Sequence, residues 1–261
     1  MNDTSEKSKT PESRGTRWKG TVAYDGTAFL GWQSQRGGNT IQDFIESRLA
    51  AILKQPVRIH GSGRTDSGVH ARAQVFHFDA VWPHPVAHLH RALLSGLPEA
   101  ILVRSVVRAP PGFHARSSAT GKRYVYRLYE GYALPFDNRF VASMGRRCLD
   151  DAAMRAAAAY LVGHHDFSAF RADRGDGSAE DPVKDLRRLD VVRRGRNLRI
   201  ITEADGYLYK MVRSLAGALI DVGLGKLTPE QVAGILENRR RTALVVTAPA
   251  RGLTLERVFY R

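Results

Sequence analysis

A chain of 261 residues and 29.0 kDa is long enough for one large domain or for two of ordinary size, each with its own core. Lys and Arg number 40 against 26 Asp and Glu, a net charge of +14, and with 43% hydrophobic residues the chain can fold, which excludes a disordered basic tail and asks for a polyanionic partner such as nucleic acid. The single cysteine, Cys148, excludes an intramolecular disulfide, a cysteine-rich zinc site and an iron–sulfur cluster, and fits a reducing cytoplasm, while no apolar run approaches the roughly 20 residues that cross a bilayer.

The polar opening, MNDTSEKSKTPESRG, lacks the apolar stretch of a signal peptide, and residues 1–15 read as a disordered tail. Trp18, Val22 and Tyr24 fall on alternate positions and predict a strand ending at Asp25-Gly26. A helix follows, capped by Asn39 or Thr40, with Ile41, Phe44, Ile45, Leu49, Ile52 and Leu53 on one stripe and Pro56 closing it. Residues 57–60 predict a short strand, 61–68 a glycine-punctuated loop and 71–79 a second strand. Val86, Leu89, Leu93 and Leu94 then give a helix stopped by Gly96 and Pro98, and the β-branched run ILVRSVV predicts a strand over 101–107. The order is βαββαβ. Segment 108–121, with Pro110 and Pro111, is the natural join.

The second half repeats the order without obvious sequence identity. It reads as a strand at 122–129, a helix over 151–162 between Asp150 and Gly163, strands near 186–193 and 198–204, and a helix over 207–222. Thr228-Pro229-Glu230-Gln231 starts a further helix with a capping box, and a strand at 253–260 closes the chain. Residues 172–182 read as a long loop. The expected fold class is therefore α+β: two ferredoxin-like halves with mostly antiparallel sheets, helices on one face and a cleft between the halves. Their expected bounds are residues 16–115 and 116–261.

The densest chemistry lies at 61–71, GSGRTDSGVHA, where three glycines surround Arg64, Thr65, Asp66 and His70. Glycines let backbone approach a ligand, so Arg64 and Asp66 could be held over a pocket; equally, Asp66 could serve a tight turn by accepting backbone N–H bonds. The loop is neither the dinucleotide fingerprint nor a phosphate-binding GxxxxGK loop.

This block is followed by FHARSSATGKRYVY, LVGHHDFSAF, GYLYKMVRSLAGAL and TAPARGL in that order, and the five together resemble the tRNA pseudouridine synthase A (TruA) family from about residue 18 onward. The resemblance implies two ferredoxin-like halves and an isomerase that converts uridine to pseudouridine in the tRNA anticodon stem-loop, at tRNA positions 38, 39 and 40. It further implies a homodimer that needs no metal and no cofactor. On the matching motifs it places the catalytic aspartate on Asp66, its basic partner on Arg213, the base-contacting tyrosine on Tyr124 and the loop arginine on Arg64.

The chemistry accounts for these residue types. Detaching uracil from C1′ builds cationic character on the ribose, so a carboxylate can attack C1′ or help remove a ribose proton. It needs a cationic neighbour to stay ionised where water is excluded, and a stacked aromatic restores what an extruded base loses. Without the resemblance, Tyr124, Tyr126 and Leu128 on one strand face would read as core. Further arginines recur at 116, 123, 171, 174, 187, 188, 193, 194, 196 and 239–241, with Lys122 among them, and are expected beside the edges of the cleft where several would grip phosphates. Neither His164, His165 and Asp166 nor His84, His88 and His90 has an evident remaining ligand set for a metal. A different class, a noncatalytic protein of two RRM-like units, fits the charge and the fold but lacks an RNP1 aromatic pattern and leaves GSGRTDSGVHA without a task.

Overall fold

Alternation of apolar side chains builds the first strand, β1 (Thr16–Tyr24), whose Trp18, Val22 and Tyr24 are buried. The computed structural model describes residues 15–175 and 180–261; most of the expected tail and part of the 172–182 loop lie outside the described residues. After β1 come α1 (Ile41–Leu53), β2 (His60–Gly61), β3 (His70–Ala80), α2 (Val86–Leu94) and β4 (Ile101–Arg108). Thr40 caps α1 in a reciprocal box with Asp43, and Ile41, Ile45 and Leu49 bury its inner stripe. The second half holds β5 (Ala119–Tyr129), β6 (Ala142–Ser143), α3 (Asp151–Leu161), β7 (Gly163–Asp166), β8 (Val183–Arg194), β9 (Asn197–Ala204), α4 (Met211–Gly223), α5 (Pro229–Asn238) and β10 (Leu253–Tyr260).

Among the described residues the strands form one sheet in the order β4-β1-β3-β10-β5-β9-β8-β7, with β2 on β3 and β6 on β5. Each half has the ferredoxin-like order, β4-β1-β3-β2 in the first and β10-β5-β9-β8 in the second. The halves join because β2 is so short. It pairs only with Phe76 and His77 of β3, leaving His70 and Ala71 on the same edge to pair in parallel with Thr254 and Leu255 of β10. All other neighbours in the eight-strand path are antiparallel. On the helical side, α1 packs on α2, and α3 on α4 and α5.

The strands β6 and β7 were not expected from the sequence, and two expected elements differ in extent. The strand expected over 57–60 survives only at His60 and Gly61, because α1 side chains occupy the backbone of Ile59: its N–H donates to Glu46 (2.9 Å) and its carbonyl accepts from Gln42 Nε2 (3.2 Å). The helix expected from 207 starts at Met211, after Lys210 in the left-handed region (φ 56°). Residues 207–210 instead form an irregular turn, with the Tyr207 hydroxyl against Thr202 (3.1 Å) and the Lys122 carbonyl (3.3 Å). That turn faces the cleft.

Candidate active site

The loop between β2 and β3 is pressed onto the segment after β1. Trp32 donates its backbone N–H to the Thr65 carbonyl at 3.1 Å, and the Thr65 hydroxyl meets the Tyr24 hydroxyl at 2.8 Å. Gly31 makes the close approach possible: its φ is +92°, and a Cβ there would stand 2.5 Å from the Thr65 oxygen. The Asp66 carbonyl closes a tight turn onto Val69 N–H at 3.1 Å, and the Ser67 hydroxyl donates to the Phe29 carbonyl at 3.1 Å. The backbone around Asp66 is thereby fixed, while its carboxylate faces the cleft.

Across the cleft, Arg213 lies in the first turn of α4. Its NH1 donates to Asp66 Oδ2 at 2.8 Å and its Nε to the Ala248 carbonyl at 2.8 Å, while the Arg213 carbonyl accepts the Ala248 N–H at 3.0 Å. One guanidinium thus bridges the two halves and is itself oriented by the backbone of the 242–249 loop. That loop lies hard on α4. A Cβ on Gly217 would stand 1.9 Å from the Val246 oxygen, and Arg241 ties the loop down through Ser214, Val245 and Thr247 at 2.7–2.9 Å.

Tyr124, on β5, is 7% exposed and lines the same cleft. Its ring stands edge-on to Tyr207 (centroids 5.2 Å apart), and its hydroxyl has no hydrogen-bond partner among the described residues. Burial, with the nearby Tyr24 and Asp66, pushes its phenol up, so the ring stays neutral. Tyr126, two residues on, is core, its hydroxyl donating to the Pro249 carbonyl at 2.9 Å. Arg64 is exposed at the cleft, with neither a hydrogen bond nor an ion pair among the described residues. The cleft encloses about 1020 Å³ and contains all four side chains selected from the sequence.

Several of the arginines expected beside the cleft edges make ion pairs within the protein. Arg193 pairs with Glu130 and Asp151 (2.6 and 2.7 Å), Arg123 with Glu203 (2.8 Å), and Arg188 with Asp190 and Glu203 (2.5 and 3.1 Å). Strand register brings Arg123 and Arg188 to one glutamate on β9, which linear sequence does not display. Arg174 pairs with Glu180 at 3.3 Å and lies over the Tyr209 ring at 4.8 Å. Sequence reasoning missed Tyr207 and the Ala248 carbonyl. The first could have been found as an aromatic just before the motif carrying Arg213; the second is a backbone group and leaves no trace in residue type.

A carboxylate paired across a cleft, an aromatic wall beside it and unpaired cations at its mouth are what a nucleoside-modifying enzyme presents to a base drawn out of RNA. Comparison with known proteins narrows that class. A family model described as "tRNA pseudouridine synthase" matches residues 21–116 and 157–261, and the chain belongs to that family. It is 41% identical over 239 residues to a tRNA pseudouridine synthase A of Geotalea uraniireducens, covering 92% of this chain and 97% of that one. The protein of the same name from Bacillus subtilis is 41% identical over 247 residues (94% and 99% covered), and that of Solidesulfovibrio magneticus 44% over 250 (92% and 89%).

Proposed function

We propose that this protein isomerises uridine to pseudouridine in the anticodon stem-loop of tRNA, at positions 38, 39 and 40. The observation that carries this reading is the Asp66–Arg213 pair, set in a basic cleft of a chain that belongs to the tRNA pseudouridine synthase family. The reaction breaks the N1–C1′ bond, forms a C5–C1′ bond, and exchanges the C5 proton for one on N1, so the formula is unchanged. Asp66 serves the ribose, either as nucleophile at C1′ or as base toward a ribose proton. Arg213 aims the carboxylate, Tyr124 stacks on the extruded base, and Arg64 holds the backbone at the mouth. On this reading residues 16–115 present the carboxylate, and residues 116–261 the tyrosine and the guanidinium.

The protein works as a homodimer in the cytoplasm on the same reading. Tyr132, Leu134 and Phe136, which are 76%, 61% and 78% exposed, support association with a second copy, and sedimentation tests it. The activity is tested with an unmodified tRNA transcript labelled with tritium at uridine C5. Tritium release, with pseudouridine detected as a chemical adduct at those positions, is the expected result. No release from a competent tRNA would overturn the reading.

A further inference from the structure

The cations that line the cleft fall into two groups. Arg213 and Arg174 pair with carboxylates and Lys210 lies over the Tyr209 ring at 4.9 Å, whereas Arg64, Arg116 and Lys122 make neither a side-chain hydrogen bond nor an ion pair among the described residues. Lys122 is the most enclosed of these three. It is two residues before Tyr124 on β5, so both side chains leave the same face of the strand. Its amine reaches the loop that carries Asp66: a Cβ on Gly63 would stand 2.7 Å from Lys122 Nζ, so the missing side chain of Gly63 leaves room for the ammonium group.

The charged groups that act on this amine are Arg116 from the β4–β5 connection and Glu180 ahead of β8, while Arg64 and Asp66 of the β2–β3 loop line the same cleft with Arg174, Lys210 and Arg213. Both carboxylates already have arginine partners. Burial, and next the neighbouring Arg116, lower the Lys122 amine to about 8, with Glu180 opposing. An enclosed ammonium that faces another cation and has no carboxylate of its own needs an anion from a ligand. Gly63 and Asp66 line the same cleft three residues apart, so a ribose brought to Asp66 carries its phosphodiester into the cleft that Lys122 also lines.

We propose that Lys122 and Arg116 form a phosphodiester subsite for the backbone of the nucleotide delivered to Asp66. The proposal deepens the function proposed above and rests on it for the identity of the RNA. Tyr124 and Tyr207 take the base, and Lys122 takes the charge next to the sugar. Free protein loses this grip as pH rises through about 8, whereas bound phosphate holds the proton on the amine. The alkaline limb therefore belongs to kcat/KM and to tRNA binding, not to kcat.

The test measures binding of unmodified tRNA to the full chain between pH 6.5 and 9 and across a salt series, alongside the kinetics, for wild type, Lys122→Met and Lys122→Arg. Lys122→Met is expected to bind roughly tenfold or more weakly at pH 7, to lose the limb near pH 8, and to lower the slope of log affinity against log salt by about 0.7–0.9, the share of one phosphate contact. Lys122→Arg, whose guanidinium stays charged, restores the affinity and removes the limb. Wild-type affinity and salt slope in Lys122→Met, a limb near pH 8 unchanged in Lys122→Arg, or a limb carried by kcat would each overturn the subsite. Because binding does not require isomerisation, wild-type protein that binds tRNA in this way but forms no pseudouridine would refute the proposed function and leave the subsite standing.

Discussion

Replacing Arg213 by methionine keeps most of the side chain's length and apolar stem but removes two donors at once, each 2.8 Å from its acceptor: Asp66 Oδ2 and the Ala248 carbonyl. The pair is partly buried, with Arg213 15% and Asp66 22% exposed, which places it between a surface ion pair and a fully enclosed one. A hydrogen bond to a charged group contributes about 1.5–3 kcal/mol, and removing one partner of a buried pair costs about 3–5. About 2–4 kcal/mol is therefore expected from the lost carboxylate contact. If that contact aims Asp66 in the transition state, the chemical step slows roughly 30- to 1000-fold. Arg213→Lys should lie between, since an ammonium can reach the carboxylate but cannot hold the Ala248 carbonyl in the same planar fork. Single-turnover pseudouridine formation with saturating enzyme isolates this step, and circular dichroism checks the fold. A folded Arg213→Met protein with a rate within threefold of wild type would refute the reasoning.

Tyr124→Phe keeps the ring and removes only a hydroxyl without a partner among the described residues, so its rate should stay within a few-fold; Tyr124→Leu loses stacking and should fall by about 1–3 kcal/mol in kcat/KM. Equal losses in the two variants would point to the hydroxyl instead. His77 accepts the Ala115 N–H at 3.1 Å, and burial, then His114, Arg17 and His60, lower it to about 4. The unfolded chain takes up this proton near 6.5 and the folded chain only near 4, so stability falls as pH drops through that window, by about 3 kcal/mol in all. Urea denaturation at pH 7 and 4.5 should show a smaller acid loss in His77→Gln than in wild type; equal losses would reject the assignment. Gly217→Ala drives a methyl group into the Val246 carbonyl and must lift the 242–249 loop from α4, costing about 1–3 kcal/mol of stability and slowing catalysis through Arg213. Unchanged melting and activity would show that the loop does not position the guanidinium.

The βαββαβ order of both halves was legible because each strand and helix carries its own periodicity, as Trp18, Val22 and Tyr24 do in β1 and Ile41, Ile45 and Leu49 in α1. How the halves meet was not. The parallel pairing of His70 and Ala71 with Thr254 and Leu255 depends on β2 stopping short, which in turn depends on Gln42 and Glu46 of α1 claiming the backbone of Ile59. The start of α4 was misplaced because Tyr207 and Leu208 continue its apolar pattern, while the cap at Lys210 is a left-handed residue that no helix-start signal marks. Within the cleft, residue type and motif located Asp66, Arg213, Tyr124 and Arg64. Sequence could not separate arginines that face solvent from those, such as Arg193 and Arg241, that bind the protein itself.

The central claim, that Asp66 supplies the chemistry and is not merely part of a turn, is tested most directly by Asp66→Asn, which preserves shape and the backbone turn onto Val69 while removing the charge. Tritium release from tRNA labelled at uridine C5, measured beside tRNA affinity in the same protein, separates chemistry from grip. The account predicts affinity within a few-fold of wild type and no release above background; release at the wild-type rate would contradict it.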